Sequence, residues 1–200
     1  MTAGHAYAVL DRVERFRGAI FTVVTDRVSM PGGGQADRDY VRHVGAVGVV
    51  PLDDEGRVLL VRQYRHPVGK LLWELPAGLV DVAGEAPADT ARRELAEEAD
   101  LRCEHLDLLV DLHTSPGFSD ELIRIFLARG LSPVGDAERH TRTDEEAELT
   151  VAWFPLDEAV AMALRGEVTN AAAVAGLLAA ARARDEEWRP LRDPDTPLVR

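Results

Sequence analysis

The chain has 200 residues, one cysteine and a formal charge of −12, from 35 acidic against 23 basic side chains. That length buries roughly 70% of the unfolded surface, enough for one domain with a small appendage, and the charge argues against a general nucleic-acid surface, which needs clustered Lys and Arg to displace counterions. Cys103 alone cannot close an intrachain disulfide, no secretion signal opens the sequence, and no apolar run reaches the ~20 residues that span a bilayer, so a cytoplasmic protein without nucleic-acid or membrane partners is expected.

In chain order, Ala19 to Val28 and Tyr40 to Val50 are rich in β-branched residues and read as two strands. Met30-Pro31-Gly32-Gly33-Gly34 between them cannot continue a strand. Asp53-Asp54-Glu55-Gly56 is a turn, and the alternation from Arg57 to Tyr64 predicts a hairpin around it. Pro76-Ala77-Gly78 ends the next extended piece. Ala88 to Ala99 has helical character, with Pro87 suited to its first turn. Strands follow at Leu106 to Leu112, Leu122 to Ala128 and Leu149 to Phe154, with helices from Leu156 to Leu164 and from Asn170 to about Arg184. Strands interspersed with three helices predict an α/β layered domain with a mixed sheet, and the proline-rich stretch after Trp188 reads as an irregular tail.

The helix beginning near Ala88 carries the first chemical signal. Glu94 and Glu98 fall about 40° apart on its surface, with Glu97 about 60° to the other side of Glu94. Ala88, Ala91, Leu95 and Ala99 supply an adjoining apolar face, so the acidic stripe borders the core. Carboxylates about 5 Å apart repel by roughly 3 kcal/mol at an effective dielectric near 20, which calls for a compensating cation. Hard oxygen ligands without nearby His or Cys suit Mg²⁺, with Mn²⁺ as the alternative. Taken alone, the stripe reads more readily as a solvated acidic face.

The wider pattern decides between these readings. Gly78, six residues, Glu85, seven residues, and then Arg93-Glu94-Leu95-Ala96-Glu97-Glu98-Ala99-Asp100-Leu101 resembles the Nudix box, the signature of the Nudix hydrolase superfamily. Six matches at fixed spacing arise by chance roughly once in a million starting positions, so the solvated-face reading gives way. Two departures stand out: six residues where the usual box has five between its glycine and first glutamate, and Asp100 where it ends in glycine. Neither removes a carboxylate. The first falls in a loop that tolerates insertion, and the second sits where Asp adopts a left-handed conformation at modest cost.

The resemblance implies an α/β/α sandwich with a mixed sheet plus a small N-terminal β-strand region. It divides the chain into residues 1–42 as that region, 43–187 as the hydrolase domain and 188–200 as the tail. It assigns Glu94 and Glu98 as direct metal ligands, Glu97 as a further ligand or catalytic water contact and the Ala77 carbonyl as another ligand. Glu85 and Arg93 become an ion pair holding loop to helix. Downstream, Thr114-Ser115-Pro116-Gly117-Phe118-Ser119-Asp120-Glu121 places Pro116 fifteen positions after Leu101. This offset, together with Gln63-Tyr64-Arg65-His66 and Trp73-Glu74-Leu75-Pro76-Ala77-Gly78, is similar to the ADP-ribose pyrophosphatase branch. As a bare pattern, Ser-Pro-Gly is also a common turn and Arg65 also a surface arginine.

The branch implies substrate contacts from Arg65, Leu79, Ser115, Pro116, Gly117 and Glu121. It adds Phe16 and Arg38 from the N-terminal strands of a partner subunit in a homodimer. A general base is expected in the acidic loop before the last strand, Glu146 first and Glu145 in reserve; a solvated loop accounts for the same residues. His43, His66 and His113 lack metal-ligand spacing and read as structural, and Tyr64 and Trp73 as core aromatics. The implied reaction is Mg²⁺-dependent hydrolysis of ADP-ribose to AMP and ribose 5-phosphate. The alternatives are another nucleoside diphosphate derivative, such as a nucleotide sugar or NADH, and a non-catalytic module that senses ADP-ribose.

Overall fold

The computed structural model describes residues 6–140 and 149–197. By internal contacts the chain forms two compact units, Met1–Gly45 with His113–Leu122 and Ala46–Leu112 with Ile123–Arg200.

The first unit is built on an antiparallel sheet of β1 (Val9–Arg17), β2 (Phe21–Ser29) and β3 (Gln35–His43), in that order. The sequence expectation of one strand before the glycine run misses β1, every residue of which is exposed. Five of its nine residues are charged, so no apolar face marks it as a strand. Cross-strand polar pairs hold it instead. Arg12 donates from Nε and Nη2 to the two carboxylate oxygens of Asp26 at 2.6 and 2.7 Å, Tyr40 donates to Asp26 at 3.1 Å, and Arg15 Nε donates to Thr25 Oγ1 at 2.8 Å. The expected single strand from Tyr40 to Val50 is two strands, broken where Gly45 takes φ +91°, a value closed to most side chains. The segment 113–122 is tied to β3 by Val41 N–H donating to the Phe118 carbonyl at 2.8 Å and Asp120 N–H donating to that of Val41 at 3.0 Å.

Among the described residues, the second unit holds two sheets and three α-helices. β10 (Thr150–Pro155), β5 (Arg57–Arg65) and β6 (Lys70–Glu74) form an antiparallel sheet in that order. β7 (Ala77–Leu79), β4 (Ala46–Pro51), β9 (Leu122–Pro133) and β8 (Leu101–His113) form the other, in which β4 runs antiparallel to β7 and parallel to β9. The expected mixed sheet is this one. The hairpin across Asp53–Gly56 is confined to its turn: Leu52 bridges Val58, after which β4 and β5 enter different sheets because both edges of β4 are taken by β7 and β9. β8 and β9 run longer than expected, since their exposed ends are too polar to read as strand.

Period-two alternation sends successive residues of the same strands to opposite faces. Val47, Val49, Leu59, Val61, Leu106, Leu108 and Phe126 pack with Ala88, Ala91, Leu95 and Ala99 of α1 (Pro87–Ala99). Val50, Val58, Leu60, Leu75, Ile125 and Leu127 pack with α2 (Leu156–Leu164) and α3 (Ala171–Asp185). This is the expected α/β/α sandwich. Asn170 caps α3 by accepting from Ala173 N–H at 3.0 Å, and the tail adds one bridge, Arg192 to Leu108 of β8. No helix of the described residues is long and apolar enough to cross a membrane.

Candidate active site

α1 starts with Pro87 at its first turn and stops at Asp100, whose φ of 55° and ψ of 34° lie in the left-handed region. Asp100 thus does the work of the glycine that usually closes the box, as expected. The apolar stripe of α1 sits on the sheet, and this sets the rotation of its acidic face. Glu94 and Glu98 are only 9% and 6% exposed, whereas Glu97 is partly exposed.

The burial of Glu94 rests on Gly78. A Cβ at position 78 would lie 2.0 Å from Glu94 Oε1, so only glycine lets the carboxylate reach the backbone of β7. Glu98 is fixed at the same strand by accepting from Ala77 N–H at 2.9 Å. Two strand residues, Ala77 and Gly78, therefore receive two helix carboxylates one turn apart.

Arg93 gathers the acidic groups. It donates from Nε and Nη2 to Glu85 at 3.2 Å each, and from Nη1 to Glu94 at 2.6 Å and Glu97 at 3.2 Å. The loop-to-helix pair inferred from the box is present, and the contacts to Glu94 and Glu97 add to it. Thr90 Oγ1 donates to Glu85 at 2.8 Å. Arg93 first and Thr90 second hold the Glu85 carboxyl below the usual carboxylate range, while Glu85 raises the Arg93 guanidinium above its own.

The donor set fits a hard divalent cation. It offers carboxylate oxygens at the core boundary beside the partly exposed backbone of β7. Among the described residues no three His, Cys, Asp or Glu side chains converge as a ready-made cage.

Arg65, on β5, donates from Nε to Glu74 Oε1 at 3.0 Å and from Nη2 to Oε2 at 2.7 Å. Glu74 is 2% exposed and lies three residues before Ala77, a span of at most ~11 Å, so Arg65 is anchored close to the carboxylate strand. Glu74 and Thr90 are the polar groups that sequence reading missed. Glu74 is one acidic residue in an apolar run, and nothing in that run names its partner on the neighbouring strand.

Phe16, Arg38, Ser115, Pro116, Gly117 and Glu121 belong to the first unit, whereas Arg65, Leu79, Ala77, Glu94, Glu97 and Glu98 belong to the second. Phe16 is exposed and packs its ring 6.0 Å from that of Phe21. Arg38 donates to the Asp37 carbonyl at 3.0 Å. Ser115 closes a turn by accepting from Phe118 and Ser119 N–H at 3.0 and 2.9 Å, and Glu121 accepts from Thr114 Oγ1 at 2.5 Å. His43 Nδ1 accepts from Gly45 N–H at 3.1 Å, in keeping with a structural role at the break between β3 and β4. Glu145 and Glu146 lie outside the described residues.

The family described as NUDIX domain matches residues 42–176. The ADP-ribose pyrophosphatase of Mycobacterium tuberculosis is 50% identical over 88% of this chain and 84% of its own length. The ADP-ribose pyrophosphatase of Bacillus subtilis is 35% identical over 78% of this chain and 82% of its own. A crystal structure described as an ADP compounds hydrolase shares the fold, with a TM-score of 0.79 over 94% of this chain and 100% of that one, at 22% identity.

Gly78→Ala should push the Glu94 carboxylate off β7. A displacement of about 1 Å at a reacting centre costs on the order of 10²-fold in turnover, and overpacking adds about 1–3 kcal/mol of destabilisation. Steady-state kinetics with added Mg²⁺, alongside urea unfolding, checks both. Turnover near that of the unaltered chain would contradict the close approach.

Proposed function

Because the chain belongs to the Nudix family, whose hydrolases generally use divalent metal cations, we propose that it hydrolyses ADP-ribose to AMP and ribose 5-phosphate. The observation that carries this reading is the pair of buried carboxylates, Glu94 and Glu98, received by Gly78 and Ala77. The substrate is taken over from the two bacterial relatives.

In the reaction, water adds to one phosphorus, the P–O–P bridge breaks at that phosphorus, and the bridging oxygen leaves with the other phosphate. Glu94, Glu98 and the Ala77 carbonyl would hold Mg²⁺, with Glu97 as a further ligand or water contact. When bound, the metal stabilises charge on the diphosphate and lowers the pKa of water. Arg65, presented by Glu74, grips a phosphate oxygen. By family position, Leu79 of the second unit and Ser115, Pro116, Gly117 and Glu121 of the first are each assigned to substrate contact. Glu146 takes the proton from the attacking water, with Glu145 in reserve. The single thiol, Cys103, suits the reducing cytoplasm; recovery of the protein with the cell envelope on fractionation would contradict that location.

Product analysis on a panel of ADP-ribose, NADH, a nucleotide sugar and a nucleoside triphosphate tests the activity. ADP-ribose should give the highest kcat/KM, with AMP and ribose 5-phosphate in equal amounts. Binding without turnover would make the chain a sensor instead.

Glu146→Gln should lower kcat by roughly 10² to 10⁴ with KM little changed, as expected for loss of a general base, and Glu145→Gln should do less. The reverse ranking moves the base by one residue, and no effect from either removes it from this loop.

We also infer a homodimer formed through the N-terminal strands. The support is that β1 exposes Leu10, Val13 and Phe16 on an unburied strand, a surface that pairing with a second copy would cover. Light scattering should give twice the chain mass, and a monomeric mass at full activity would rule the dimer out. If the N-terminal strands contribute Phe16 and Arg38 to the partner's pocket, mixing Glu98→Gln with Arg38→Ala subunits should restore part of the activity.

A further inference from the structure

A cavity of about 310 Å³ lies where α1 meets the start of β8, lined by Arg92, Arg93, Leu95, Ala96, Arg102 and Cys103. Three guanidinium groups and no carboxylate line it, in a chain whose formal charge is −12. Two of the three are neutralised from outside the lining. Arg93 pairs with Glu85, Glu94 and Glu97, and Arg102 with Glu138 at 2.6 Å. Arg92 is different: it donates to the Cys103 carbonyl at 3.4 Å and to Cys103 Sγ at 3.3 Å, and it has no ion pair among the described residues. Burial raises the Cys103 thiol above its ordinary value against the opposing effect of Arg92, so the sulfur stays protonated and offers the cation no charge.

An uncompensated guanidinium at a cavity wall selects an anion, and its planar fork matches phosphate oxygens. The volume stands at the lower end of small-molecule sites and exceeds what inorganic phosphate needs. Ala96 and the neutral thiol supply an apolar wall for a carbon skeleton. We propose that this cavity binds a small phosphomonoester of sugar-phosphate size, its phosphate on Arg92 and its carbon body against Ala96 and Cys103. None of Ala77, Glu94, Glu97 or Glu98 lines the cavity, so the site is separate from the candidate metal ligands. Arg93 connects the two, since it lines the cavity and also binds Glu94 and Glu97. The proposed function enters only in the choice of probe, ribose 5-phosphate.

Cys103 is the only cysteine in the chain and therefore reports on occupancy. The experiment measures its alkylation rate by iodoacetamide in EDTA, with and without ribose 5-phosphate, as a ratio within each variant. Ribose 5-phosphate should slow alkylation saturably and unphosphorylated ribose should not. Arg92→Gln should weaken the apparent affinity about tenfold or more, the usual consequence of losing a charged hydrogen bond. Glu98→Gln should leave protection intact. No protection at millimolar ligand, equal protection by ribose, or protection unchanged in Arg92→Gln would overturn the proposal. Loss of protection in Glu98→Gln would assign the effect to the candidate active site and overturn it as well. The assay needs neither metal nor turnover, so failure of ADP-ribose hydrolysis in the product analysis remains a separate result.

Discussion

Two carboxylates one helical turn apart at the edge of a core repel each other, and each resists leaving water. Glu94 and Glu98 occupy such a place because the opposite side of the site is bare backbone. Gly78 leaves the space that the Glu94 carboxylate fills, and Ala77 N–H donates to Glu98. Arg93 supplies the compensating charge to Glu94. Like-charge repulsion of roughly 3 kcal/mol at about 5 Å is comparable to what one charged hydrogen bond returns, so a single guanidinium suffices to hold the arrangement.

Much of the second unit follows from keeping that helix face in register with that strand. Ala88, Ala91, Leu95 and Ala99 fix the rotation of α1 on the sheet, and the left-handed Asp100 ends it before β8. The loop before the helix is tied by Glu85 to Arg93 and Thr90, so the extra residue it carries is taken up away from the carboxylates. On the other side of Ala77, buried Glu74 anchors Arg65. An isolated buried carboxylate is costly, and the bidentate pair both satisfies Glu74 and fixes the Arg65 side chain.

The sequence made the chemistry readable where spacing is rigid. Glu94, Glu97 and Glu98 on a 3.6-residue repeat, with Arg93 and Glu85 at fixed offsets, determine one another, and α1 and α2 fall where their apolar stripes put them. Readability failed where side-chain pairs across strands replace burial. β1 has no apolar face and is held by partners such as Asp26, fourteen residues beyond Arg12, a distance no local pattern encodes. Glu74 was passed over for the same reason. The break at Gly45 was lost because β-branched residues continue through it, although its positive φ separates strands of different units.

The most direct test is a Mn²⁺ titration of the protein without nucleotide, followed by electron paramagnetic resonance, comparing the unaltered chain with Glu94→Gln and Glu98→Gln. If these two carboxylates are the metal's principal protein ligands, each substitution should weaken Mn²⁺ binding about tenfold or more, since each removes a charged ligand oxygen worth upward of ~1.5 kcal/mol, while the fold stays intact. Binding isotherms identical to that of the unaltered chain in both variants would contradict the account.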